Sequence, residues 1–146
     1  MDEKVILLQK NLALIRTCAG WSAAELGEKL DVSRQMVSNL ETGRNKMTQM
    51  QYLAIRQVLA EEIEKSASKD DTQMLKDVIR VLVDEPKRFS EEQRTLVLAD
   101  ANLLAPSIVS KKTTRKKAAS TWAVLAGVVV AAVVAVTGSV LLTDKD

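Results

Sequence analysis

From residue 122 to residue 142 the chain carries no charged side chain. At about 1.5 Å per helical residue such a run spans roughly 30 Å, the hydrocarbon thickness of a bilayer. A soluble core helix is the competing reading, but a chain of 146 residues has little else with which to surround a helix that is apolar on every face. The expectation is therefore a transmembrane helix over 122–142, followed by a short outer tail at 143–146. Its position near the C-terminus excludes a secretory signal peptide. The residues before it fix the expected orientation. Segment 111–121 holds five basic side chains and no acidic one, whereas 1–65 holds nine of each. The net charge of +2 thus conceals one concentrated basic segment. Cations on the N-terminal flank keep that side in the cytoplasm, so a single-pass protein of the cytoplasmic membrane is expected. Lys111, Lys112, Arg115, Lys116 and Lys117 would form its membrane-facing surface, with the lipid bilayer as partner. Trp122 stands where an interfacial aromatic anchor belongs. Ala123, Gly127, Ala131, Ala135 and Ser139 recur every four residues, the spacing that lets helices pair closely in lipid.

Composition removes most catalytic chemistry. There is no His, and the single Cys18 permits neither an intrachain disulfide nor a thiolate metal cage. No Gly-rich phosphate loop and no carboxylate cluster stands out. The chain reads as a non-enzyme without cofactor or metal. Five Gly and two Pro, set among many Ala, Leu, Val, Glu and Lys, point to an all-α fold.

Start and stop signals divide residues 1–65 into short helices. The first runs over about 4–18, with Leu8, Leu12 and Ile15 on one face, and Ala19-Gly20 ends it. Ser22 and Glu25 form a capping box, with Trp21 and Leu26 as a hydrophobic staple. That helix reaches about Leu30, and Asp31 tolerates the left-handed turn that follows. Ser33 caps a third helix, which Gly43 stops. Thr48 and Gln51 open a fourth, reaching about Lys65. Beyond a polar joint, Asp70 and Asp71 open a helix to about Glu85 whose apolar face includes Leu75, Val78 and Leu82. Ser90 and Gln93 cap another, with Pro106 as its stop. These two read as a helical hairpin over 66–110. They bury little alone, so their faces should meet the N-terminal domain or a second copy. Residues 107–117 read as a flexible tether.

Two short helices joined by a tight turn make a helix-turn-helix. The stretch 12–59 resembles the lambda-repressor-like (Xre and Cro type) helix-turn-helix family. The resemblance is carried by Leu14-Ile15-Arg16, by Gly20-Trp21-Ser22-Ala23-Ala24-Glu25-Leu26, and by Leu30-Asp31-Val32-Ser33-Arg34-Gln35. Val37-Ser38-Asn39-Leu40-Glu41 with Gly43, then Leu53, Ile55 and Leu59, complete it. It implies that 33–41 is a recognition helix lying in the major groove of double-stranded DNA. Arg34, Gln35, Ser38 and Asn39 would then face base edges, Arg being suited to guanine and Gln to adenine. Ser22, Arg44, Asn45 and Lys46 would meet phosphates. Arg16 and Glu41 match positions that form a buried ion pair in some relatives. Ala23 departs from the pattern, because relatives often carry a Gln there that contacts phosphate. Proteins of this type usually bind two-fold operators, so a homodimer is expected.

The expected protein is a membrane-anchored, sequence-specific DNA-binding protein, a bacterial transcriptional regulator. Its parts would be a helix-turn-helix domain (1–65), a hairpin (66–110), a basic juxtamembrane linker (111–121), the membrane helix and the tail. With so short a tail outside, a signal would arise in the cytoplasm or the bilayer, where a membrane protein partner is possible. The alternative is an anchored protein-interaction module. A bacterial cytoskeleton-anchoring family shares the layout and uses its helix-turn-helix to bind a filament.

Overall fold

The computed structural model describes residues 2–66 and 69–125. Residues 126–146 lie outside this range, and with them most of the apolar run, the four-residue repeat of small side chains except Ala123, and the outer tail. The described residues are all helical, without strands. None of their helices is long and apolar enough to cross a membrane.

The N-terminal helix expected over 4–18 is two helices, α1 (Glu3–Lys10) and α2 (Leu12–Cys18). Asn11 breaks it, at φ −108° and ψ 12°. Its side-chain amide donates to the Leu7 carbonyl at 2.9 Å, so a local side-chain bond competes with the regular helical ladder. Val5 and Leu8 of α1 and Leu12, Leu14 and Ile15 of α2 are buried on both sides of the break.

Next come α3 (Ala23–Leu30), α4 (Arg34–Glu41) and α5 (Gln49–Lys65). Both halves of the Ser22–Glu25 and Thr48–Gln51 capping boxes are made, and the Ser33 hydroxyl accepts from the Met36 N–H at 3.0 Å. Asp31 adopts the left-handed conformation at φ 57°. Gly27 lies where α3 meets the turn into α4. A Cβ there would sit 2.8 Å from the Val32 carbonyl oxygen, so only glycine allows so close an approach.

The helix expected over 70–85 is a 3₁₀ turn (Lys69–Thr72), then α6 (Gln73–Ile79), then a π turn (Arg80–Asp84). A π turn holds an extra residue. Here it accompanies the burial of three successive apolar side chains, Val81, Leu82 and Val83. Two ion pairs fix the turn. Arg56 of α5 grips Asp84 through both Nη atoms at 2.8 and 2.9 Å, and Arg80 reaches Glu85 at 3.1 Å. Burial opposes the Arg56 charge more than any other single effect does, but the hydrogen bonds to Asp84 together with the electrostatic attraction of Asp84 and Tyr52 outweigh it, and its pKa is raised.

After a 3₁₀ turn (Pro86–Arg88), α7 (Glu91–Val109) passes through Pro106 rather than stopping there. Proline deprives only the Asn102 carbonyl of its N–H partner. Both residues face solvent, while Ala101, Ala105 and Ile108 hold the opposite side in the core. α7 packs on α2, α6 on α2, and the π turn on α1, so the C-terminal half covers the N-terminal helices.

The stretch 107–117 is not a free tether. α7 occupies its first part, and α8 (Arg115–Val124) then turns back onto α7, α6 and the 3₁₀ turn at 69–72. Ala118, Ala119 and Trp122 are its buried face. The Trp122 indole Nε1–H donates to Asp77 Oδ2 at 2.9 Å, and the Gln73 amide donates to Oδ1 at 2.8 Å. The expected interfacial anchor is a core residue in this fold.

Burial pushes the Cys18 thiol up to about 12 from 9.0. The folded chain holds this proton after the unfolded chain has lost it, so the thiol's contribution to stability is complete below pH 9 and declines from there towards pH 12. At pH 8 dithiobis-nitrobenzoate should therefore modify Cys18 only as fast as the chain unfolds, and prompt reaction in buffer would contradict this packing.

Candidate nucleic-acid interface

The outer face of the α3–α4 unit is polar and unobstructed. Ser33 caps α4, placing Arg34 and Gln35 in its first turn with both side chains in solvent. Ser38 and Asn39 follow one turn later and are half-buried. Val37 and Leu40 bury the other side of the helix. Gln35 is not loose. Its Nε2 donates to Asn39 Oδ1 at 3.0 Å, which orients the amide and leaves its oxygen and a second N–H for a partner. An amide held this way presents the acceptor–donor pair that the major-groove edge of adenine complements, and the Arg34 fork complements guanine.

Contacts behind α4 fix the helix. Arg16 of α2 binds Glu41 of α4 through Nε at 2.6 Å and Nη2 at 3.2 Å. Its Nη1 donates to the Trp21 carbonyl at 2.8 Å. Both charged side chains are 13% exposed. One guanidinium therefore joins α2, the turn before α3 and the end of α4.

Arg44, Asn45 and Lys46 are exposed in the loop after α4, which leaves the helix through Gly43 at φ +78°. Sequence reasoning missed what holds this loop. Gln9 of α1 donates from Nε2 to the Leu40 carbonyl at 3.0 Å and the Asn45 carbonyl at 2.6 Å, and its Oε1 accepts from the Met47 N–H at 3.0 Å. Its one visible signal was a polar side chain beside the apolar positions Val5, Leu8 and Leu12.

At the start of α3 the Ser22 hydroxyl and the Glu25 carboxylate are engaged with each other's backbone N–H groups. The N–H groups of Ala23 and Ala24, together with the O–H of Ser22, whose oxygen only accepts here, are the donors left for an external anion. A carboxylate at this end works against a phosphate, and no Gln stands at residue 23 to offset it.

These features describe a braced helix whose first turn offers a guanidinium and an oriented amide, with cations in the next loop. Residues 12–65 match the helix-turn-helix family. The match is to the Xre and lambda-repressor-like model and covers a little over a third of the chain. No curated protein and no solved structure matches the chain.

Of the residues assigned to the membrane surface, Lys111, Lys112, Lys116 and Lys117 are exposed. Arg115 is not available in the same way. It pairs with Glu62 of the helix-turn-helix domain at 3.0 Å and approaches the Ala19 carbonyl at 3.5 Å. Its charge serves the contact between α8 and α5.

Gln9→Ala should cost about 1–2 kcal/mol of stability, through unpaired backbone groups at Leu40, Asn45 and Met47. Denaturant unfolding would measure it, and a change below 0.5 kcal/mol would mean that the loop needs no such clamp.

Proposed function

We propose that the chain is a transcription regulator that reads double-stranded DNA through α4. The observation carrying this reading is the first turn of α4, with Arg34 and Gln35 exposed, Gln35 oriented by Asn39, and the helix braced by the Arg16–Glu41 pair. Major-groove reading requires side chains of this type on a helix whose orientation is fixed. Arg44, Asn45, Lys46 and the start of α3 supply phosphate contacts that set the register.

A homodimer on a two-fold operator belongs to the same proposal. It is supported by a groove of about 380 Å³ between α3, α4 and α5, lined in part by Val32, Met36 and Met50. Val32 and Met50 are exposed apolar side chains.

Attachment to the cytoplasmic membrane is a further part of the proposal, and it rests on the sequence. With Trp122 in the core, the uncharged stretch available for a span narrows to 123–142. Its 20 residues are about the length a transmembrane helix needs. α8 would then bring the folded body close to the bilayer.

Selection from randomised duplexes with the full chain should recover a two-fold sequence. Arg34→Ala with Gln35→Ala should reduce its affinity to that for mixed sequence, a loss on the order of 10²-fold for two bidentate contacts of about 1–3 kcal/mol each. Helicity by circular dichroism should stay unchanged. Equal affinity of the double variant for the selected site would remove α4 as the reader, and filament co-sedimentation insensitive to Arg34, with no duplex bound, would favour the protein-docking alternative. Deletion of 126–146 should shift the protein from the membrane pellet to the supernatant, whereas continued pelleting would contradict the anchor.

A further inference from the structure

We infer that the corner between α7 and α8, carrying Lys111 and Lys112, belongs to the DNA-binding surface and meets backbone phosphates beside those met by the start of α3. The inference rests on the DNA-binding reading and extends it to a segment outside residues 12–65. Its basis is a juxtaposition created by the fold. Ile108, near the end of α7, lies against Gly20, with Cγ2 at 3.3 Å from the position a Cβ would take there. Arg115, the first residue of α8, is tied to Glu62 at 3.0 Å and approaches the Ala19 carbonyl at 3.5 Å. The corner is thus held on both sides against the turn 19–21, immediately before Ser22 caps α3. Lys111 lines one cleft together with Gly20, Trp21, Glu25 and Lys29.

Three properties of the corner suit a phosphate backbone. Lys111 and Lys112 are exposed and form no ion pair among the described residues, whereas Arg115 is engaged by Glu62. Lys111 also sits at φ +63°, a left-handed conformation usually left to Gly or Asn. A lysine kept at such a position retains strain that glycine would relieve, which fits a requirement for its charge. Finally, the helix-turn-helix domain lacks the charge itself. Residues 1–65 are neutral overall, and the start of α3 carries Glu25 with no Gln at residue 23. Sequence-independent DNA affinity grows with the number of phosphates neutralised. The fold brings cations from a distant segment to the end of α3 where Glu25 and Glu62 offset Lys29 and Lys65. An anionic lipid surface would attract the same lysines, but the close packing of this corner on the 19–21 turn favours DNA.

The test uses the full chain and a mixed-sequence 30-bp duplex, with affinity measured across a salt series. Lys111→Gln with Lys112→Gln should weaken binding about fivefold or more and reduce the slope of log K against log salt by about 1.8, near 0.9 per phosphate contact. Lys111→Gly should raise the thermal midpoint while lowering affinity, a combination that a structural role for the lysine would not produce. Unchanged affinity and slope in the Gln variant overturn the inference. If Arg44→Ala with Lys46→Ala lowers the slope and the corner variant does not, DNA binding stands and the inference alone fails. If the wild-type chain binds no duplex, the function proposal fails with it. If the corner variant keeps its slope but loses affinity for phosphatidylglycerol vesicles, the lysines serve a lipid surface and the inference is overturned.

Discussion

One guanidinium holds the reading surface in register. Arg16 spends its donors on a carboxylate of α4 and a carbonyl before α3, so three elements cannot move independently without leaving a mostly buried charge unpaired. The direction in which Arg34 and Gln35 point follows from that bridge together with the burial of Val37 and Leu40 on the inner side of α4. Gln9 does a similar task for the loop carrying Arg44, Asn45 and Lys46, using both ends of one amide. Polar side chains on the first two helices thus determine where the outward-facing polar side chains of the next ones sit.

Much of this was legible in the sequence because it is written in local chemistry. Ser22 with Glu25, Ser33, Thr48 with Gln51 and Ser90 with Gln93 each mark a helix start by satisfying backbone donors a few residues away. Where local signals misled, a distant or competing contact decided. Pro106 is a stop signal by its own chemistry, yet Ala101, Ala105 and Ile108 keep α7 continuous. Asn11 reads as an ordinary helical residue until its side chain takes the Leu7 carbonyl. The π turn at Arg80–Asp84 is gripped by Arg56, which lies on another helix.

The C-terminal third departs furthest from expectation. A basic segment before an apolar run has a ready meaning in membrane topology, and that meaning needs no folded structure. The structure gives part of the segment a second one. Arg115 binds Glu62, and Trp122 closes over Asp77 with its indole N–H satisfied. Nothing local in the sequence signals either partner, since both lie on earlier helices. The last described helix is thereby part of the folded body, and the charge that appeared destined for lipid is placed beside the helix-turn-helix.

Amide hydrogen exchange of the full chain, with and without a bound duplex, addresses the central claim most directly. The account predicts that duplex slows exchange across residues 33–46 and at Ala23 and Ala24, while α6 stays unchanged. Protection confined to residues outside α3, α4 and the 43–47 loop, or no protection at all, would contradict it.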